Sequence, residues 1–252
     1  MSVTPQKSTK VNSDGSIDVI VQDNTSEAID IYLCNNKGTT NPTVAVAIDD
    51  KTVTVADTTG AVVGDCIDLK EGKRFFQSIV TNITGSVVTF ASPCDAEYTT
   101  AAQVCFGEWD LAQANGSVTP VVYCMAPPPD AQYDIYSLTI SMVDGSAMDD
   151  SKFGGIAALT NGLVGRRTDG TIKQLFLISN NAGFREYGFN IEYPLKPPAG
   201  KYAVAGEKLF PTKNGTVLRL NGKTLDTIDV TIQDDLTGLE KFSIVAHGHE
   251  VE

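Results

Sequence analysis

Only one stretch of this chain has the spacing of a helix. It is 153–162, F-G-G-I-A-A-L-T-N-G, with Phe153, Ile156, Ala157 and Thr160 three and four residues apart. Asp149 or Asp150 can cap its start, and Asn161-Gly162 supplies a left-handed stop. Elsewhere the apolar residues come in short runs, broken by Gly, Asn, Asp and Pro. Runs of that kind are strands, and a chain with so many turns folds as a sandwich or barrel rather than as helices on a parallel sheet. The expectation is an all-β protein: a β-sandwich main domain with one short helix, and an inserted small β-barrel-like module.

The order of the runs divides the chain. Residues 1–16 are polar and without period, and read as a flexible N-terminal arm. Residues 17–21 and 29–33 are apolar strands joined by D-N-T-S, as a hairpin or a corner. N-N-K-G-T-T-N-P at 35–42 has the composition of a linker. Residues 43–107 then change character. T-V-T-V (52–55), C-I-D-L (66–69), 75–83, V-V-T-F (87–90) and A-Q-V-C-F (102–106) are five brief strands, which predict a small inserted module. The main domain is 17–42 with 108–252.

In its second part, strands are expected at 109–112, 121–125, 135–143, 163–167, 172–178, 184–191 and 217–220, with a last hairpin from 229–233 and 242–246. Two proline-rich stretches, 126–130 and 194–200, read as rigid crossings. D-V-I-V-Q-D-N at 18–24 resembles D-V-T-I-Q-D-D at 229–235, and the likeness of the last hairpin (229–233 and 242–246) to 18–33 predicts paired positions in one sheet.

Charge narrows the partners. Nineteen Lys and Arg face 31 Asp and Glu, a net charge of −12. A surface that acidic repels phosphate backbones and anionic lipid, so neither nucleic acid nor membrane is expected as a partner. The first ten residues lack the apolar core of a signal peptide, which points to folding in a cytosol.

No constellation carries chemistry. G-x-S-x-G, H-E-x-x-H and P-loop patterns are absent, so no catalytic residue and no cofactor is assigned. The two histidines, His247 and His249, would share one face of a strand. They are the candidates for a metal shared by three copies on a symmetry axis, against the plainer reading of a solvated chain end. Asp144, Ser146, Asp149 and Asp150 cluster, but without the spacing or the closing Glu of a calcium loop. The five cysteines (Cys34, Cys66, Cys94, Cys105, Cys124) contain no C-x-x-C and read as small buried hydrophobes. A single bridge among Cys66, Cys94 and Cys105 is the alternative. The sequence does not identify interface residues.

Two stretches carry a resemblance. T-V-A-D-T-T-G-A-V-V-G-D-C-I-D-L (54–69) with P-C-D-A-E-Y-T-T-A-A-Q-V (93–104) resembles a small β module of tailed-phage virion proteins. D-G-S-A-M-D-D-S-K-F-G-G-I-A-A-L-T-N-G (144–162) with 230–252 is similar to structural proteins of tailed bacteriophages, of the neck, collar and tail-associated kind. The resemblance implies a non-enzymatic subunit of the virion, assembled in the bacterial cytoplasm. It would contact other virion proteins and its own copies in a ring or fibre. Neck, collar or tail attachment is the first position, with baseplate or capsid decoration as alternatives. From another class, a carbohydrate-binding adhesin module would instead show a cleft with exposed aromatics and a carboxylate pair.

Overall fold

A computed structural model describes residues 6–11, 17–22, 28–146, 159–193, 199–210 and 218–251. The fold is all-β: 57% is strand, and among the described residues no helix reaches seven residues. The helix expected at 153–162 lies mostly outside the described residues. Its last part, 159–162, is irregular, and Gly162 takes the left-handed conformation that its place after Asn161 predicts, with φ +84°.

The strands are β1 (Gln6–Val11), β2 (Ile17–Gln22), β3 (Ala28–Tyr32), β4 (Asn35–Thr40), β5 (Thr52–Thr54), β6 (Cys66–Glu71), β7 (Arg74–Thr84), β8 (Val87–Phe90) and β9 (Gln103–Glu108). There follow β10 (Val121–Met125), β11 (Gln132–Asp144), β12 (Leu163–Thr168), β13 (Ile172–Ile178), β14 (Phe189–Glu192), β15 (Tyr202–Leu209), β16 (Leu218–Asn221), β17 (Thr227–Ile232) and β18 (Lys241–Val251). They form four sheets. β1 pairs with β2. A second sheet runs β10-β17-β12-β13. A third runs β14-β15-β11-β18-β3, with β16 also on β11. The fourth runs β4-β9-β6-β7-β8-β5.

The second and third sheets form the sandwich. Their facing residues make one buried cluster: Tyr123, Phe176 and Val230 from one side, Ile140, Phe242 and Ile244 from the other. Four phenylalanines at its centre stack edge to face, with Phe184 against Phe189 at 4.9 Å and against Phe242 at 6.4 Å. The fourth sheet has its own cluster, which includes Ile67, Val88, Phe90, Val104 and Phe106. This sheet is not closed into a barrel; one bridge, Pro42 to Val55, brings its two edges together.

Several local expectations change. Residues 6–11, placed in a flexible arm, form β1, because β2 offers them a ladder. Asn35–Thr40, linker-like in composition, is strand β4 on the edge of the module's sheet, held by β9. Residues 109–112 are not a strand; Asp110 accepts from Ala112 N at 3.1 Å and starts a 3-10 turn. β17 and β18 are not a hairpin, since they lie in opposite sheets of the sandwich. Of the places expected in one sheet, 242–246 does pair with the 29–33 strand, Val245 opposite Tyr32 and Ala246 opposite Ile31, whereas β2 and β17 lie in different sheets. Residues 184–191 break at a 3-10 turn, Arg185–Tyr187, before β14.

The feature that positions the site is a bulge in β11. Ile135 and Leu138 are both buried, which strict alternation forbids for residues three apart. The register against β18 shifts between Ile135 and Ser137, leaving Tyr136 as the extra residue. Ile135 then faces the core on one side of the bulge, with Leu138, Ile140 and Met142 on the other. Ser137 and Thr139 turn to the outer face.

Candidate functional site

The outer face of the third sheet carries a polar row built by cross-strand pairing. Asp30 of β3 lies opposite His247 of β18, and His247 lies opposite Ser137 of β11. One step along, Thr139 lies opposite Glu207 of β15, which lies opposite Asn190 of β14. Directly paired residues share a face, so five strands deliver these side chains to one surface.

The row is hydrogen-bonded at its centre. His247 Nδ1 is 2.6 Å from Asp30 Oδ1, and Nε2 is 2.8 Å from Thr139 Oγ1. Beside a carboxylate, a neutral imidazole keeps its proton on Nδ1. Nε2 then accepts, and the Thr139 hydroxyl donates to it. Thr139 is left with only lone pairs to offer. The Tyr136 ring lies nearly parallel to the imidazole, 24° apart with centroids at 6.5 Å. A groove of about 480 Å³ runs over this face, lined by Tyr136, Ser137, Thr139, His247, Glu192 and Glu207 among others.

Carboxylate, imidazole and hydroxyl in series can activate a nucleophile when backbone donors wait for the oxyanion. The backbone of β11 beside Thr139 offers no such donors. β11 is paired on both sides over this segment, and the ladders take its N–H groups. The row presents the Tyr136 ring and a set of hydrogen-bonding side chains on the sheet's outer face.

The two histidines do share a face, and each has its own carboxylate. His249 Nε2 is 3.8 Å from Asp134 Oδ2, away from the Asp30 contact of His247. Among the described residues no group of three or more His, Cys, Asp or Glu can hold a metal ion. In the acidic cluster, Asp144 Oδ1 accepts from Gly145 N at 2.7 Å, and Asp149 and Asp150 lie outside the described residues.

A second cluster lies at the seam between module and sandwich. All five cysteines are free thiols. No bridge forms among Cys66, Cys94 and Cys105: Cys94 is in the module's core, out of reach of the other two, and Cys66 and Cys105, which alternation places on the other face of its sheet, are both free. There they meet Cys34 and Cys124, which pair backbone to backbone, Cys34 N to Cys124 O at 3.1 Å and the reverse at 2.9 Å. The Cys34 thiol is held well above its usual range by the hydrogen bond with Cys66 and by burial. Asp68, among these thiols, is raised by burial, opposed by Lys70 at 3.8 Å and Gln77 at 3.0 Å. Burial likewise raises the Cys105 and Cys124 thiols, which favours their protonated, unreactive form.

Sequence reasoning missed the groove. Its signal was present only in part: the alternation of His247 and His249, and the odd spacing of Ile135 and Leu138 that a bulge explains. Comparison with family models, curated proteins and solved structures found no match to this chain.

Proposed function

We propose that this chain is a non-enzymatic structural subunit of a tailed-phage virion, at the neck, collar or tail attachment, with baseplate or capsid decoration as the next positions. The resemblance of 54–69, 93–104, 144–162 and 230–252 supplies the class. The observation that carries the reading is a surface with open strand edges and apolar side chains beside them. β13 ends its sheet with no partner on its outer side among the described residues, and its first residue, Ile172, is 74% exposed. An open edge with apolar residues is a template for another chain unless something covers it. Leu225, 78% exposed, stands at a turn tip in the left-handed conformation, φ +58°. That backbone costs a leucine about 1 kcal/mol or more, and such strain is kept where a surface has work to do. A neighbouring subunit would cover both residues. The net charge of −12 favours protein neighbours over nucleic acid.

The test is to purify intact particles and measure their proteins by mass spectrometry, with cross-linking to map neighbours. The expected result is a fixed copy number per particle and cross-links reaching β13 and the Leu225 turn. Absence of the chain from purified particles overturns the reading.

A further inference from the structure

We infer that the groove on the outer face of the third sheet binds a neutral saccharide. This goes beyond the particle reading and does not rest on it. The first ground is the hydrogen-bonding character of the lining. Glu192 and Glu207 are acceptors, and with the His247 proton on Nδ1 the Thr139 hydroxyl donates to Nε2, while Asn190 and the Tyr136 hydroxyl bring donors. A ligand that satisfies this groove must donate to its carboxylates and also accept from its amide and hydroxyls, as the hydroxyls of a sugar do. Phosphate, sulfate and carboxylate ligands bring acceptors and negative charge. They would meet Asp30, Glu192 and Glu207, and among the described residues no Lys or Arg lines the groove.

The second ground is an orphan. The Ser137 side chain lines the groove, is 0% exposed, and its Oγ has no hydrogen-bond partner. Leaving a buried hydroxyl unpaired costs about 1–3 kcal/mol, which a ligand hydroxyl at this position would recover. The bulge at Tyr136 is what turns Ser137 toward the groove rather than into the core.

The third ground is the platform. Tyr136 lines the groove and is 41% exposed, so part of its ring is open to a ligand beside the polar row. The C–H face of a pyranose carries partial positive charge and packs against the electron-rich face of such a ring. The groove, about 480 Å³, lies within the range of small-molecule sites. Being open along the sheet, it accepts the end of a longer chain as well as a short sugar.

The test titrates the full-length, isotope-labelled protein by NMR with cellobiose, lactose, maltose and chitobiose, and in separate arms with 6′-sialyllactose, spermidine and inorganic phosphate. The expected result is that at least one neutral disaccharide shifts the amides of 136–139 and 205–207, and that Tyr136→Ala and Glu207→Gln each weaken it by about tenfold or more. Both side chains face solvent, so the amide spectrum of each variant should keep its dispersion. The inference is overturned if no neutral disaccharide moves the groove amides, if only spermidine or phosphate does, or if both variants bind within about twofold of the wild-type chain. A failed titration leaves the particle reading standing, and absence from particles leaves the groove standing.

Discussion

Arg219 grips Asp134 through two parallel hydrogen bonds, Nε to Oδ1 and Nη2 to Oδ2, each 2.7 Å long. The two residues are direct cross-strand partners between β16 and β11. The Asp134 side chain is 9% exposed while that of Arg219 is 54% exposed, so the pair is buried at one end only. Its value lies in keeping Asp134 satisfied. Arg219→Ala should destabilise the protein by about 1–2 kcal/mol, less than a fully buried pair because water reaches the arginine. Arg219→Lys should recover only part of this, since an ammonium cannot make the two-pronged contact. Urea unfolding of both variants checks it; a lysine variant as stable as wild type would show that the fork geometry contributes nothing.

Asp68 sets a pH dependence. Burial at the seam raises its pKa, and Lys70 and Gln77 only partly oppose it. The folded state therefore holds the proton at a pH where the unfolded chain has released it. With more protons bound when folded, stability falls as pH rises from the ordinary carboxylate range through the raised value. Asp68→Asn should flatten that fall and leave the neutral-pH protein more stable than wild type. Melting temperatures of both proteins from pH 4 to 8 decide it; parallel curves would mean Asp68 titrates as it does in the unfolded chain.

Gly165 faces Phe176. A Cβ at that position would sit 2.3 Å from the ring, which is fully buried and packs edge-on to Phe189 at 5.5 Å. The ring has no room to withdraw. Gly165→Ala should cost about 1–3 kcal/mol through overpacking. If thermal unfolding shows no loss, the β12 backbone must shift at its bulge, between Gly165 and Arg166.

Where turn residues bracket an apolar run, the sequence displayed the fold closely. The bounds of β8, β10 and β13 follow from the runs V-V-T-F, V-V-Y-C-M and I-K-Q-L-F-L-I. β15 escaped because Y-A-V-A-G-E-K-L is dominated by small and charged residues; it is a strand because β11 and β14 pair with it on either side. β4 escaped because pairing with β9, rather than propensity, makes N-N-K-G-T-T extended. The groove was the least legible part. Asp30 and His247 are 217 positions apart, and only the ladder between β3 and β18 brings them within 2.6 Å. No local pattern encodes that register.

The module's independence rests on where its sheet begins. Its buried cluster runs from Val46 to Phe106, all within 43–107. Yet β9 pairs with β4 on one side and β6 on the other, so a fragment cut at 43 loses a neighbour along β9. The same cut removes the bond from Asp57 N to Thr40 Oγ1 and the Pro42–Val55 bridge that draws the sheet edges together. On the seam side, Phe75 packs against the sandwich core, and Gln77 exchanges hydrogen bonds with the Tyr32 backbone at 2.9 and 3.3 Å. Those contacts join the two parts without entering the module's own cluster. We therefore expect 35–108 to fold alone, with a dispersed amide spectrum and a cooperative melt, and 43–107 to melt at a lower temperature with its β9 resonances broadened. A collapsed spectrum for 35–108 would mean that the seam, rather than the module's core, holds the fourth sheet together.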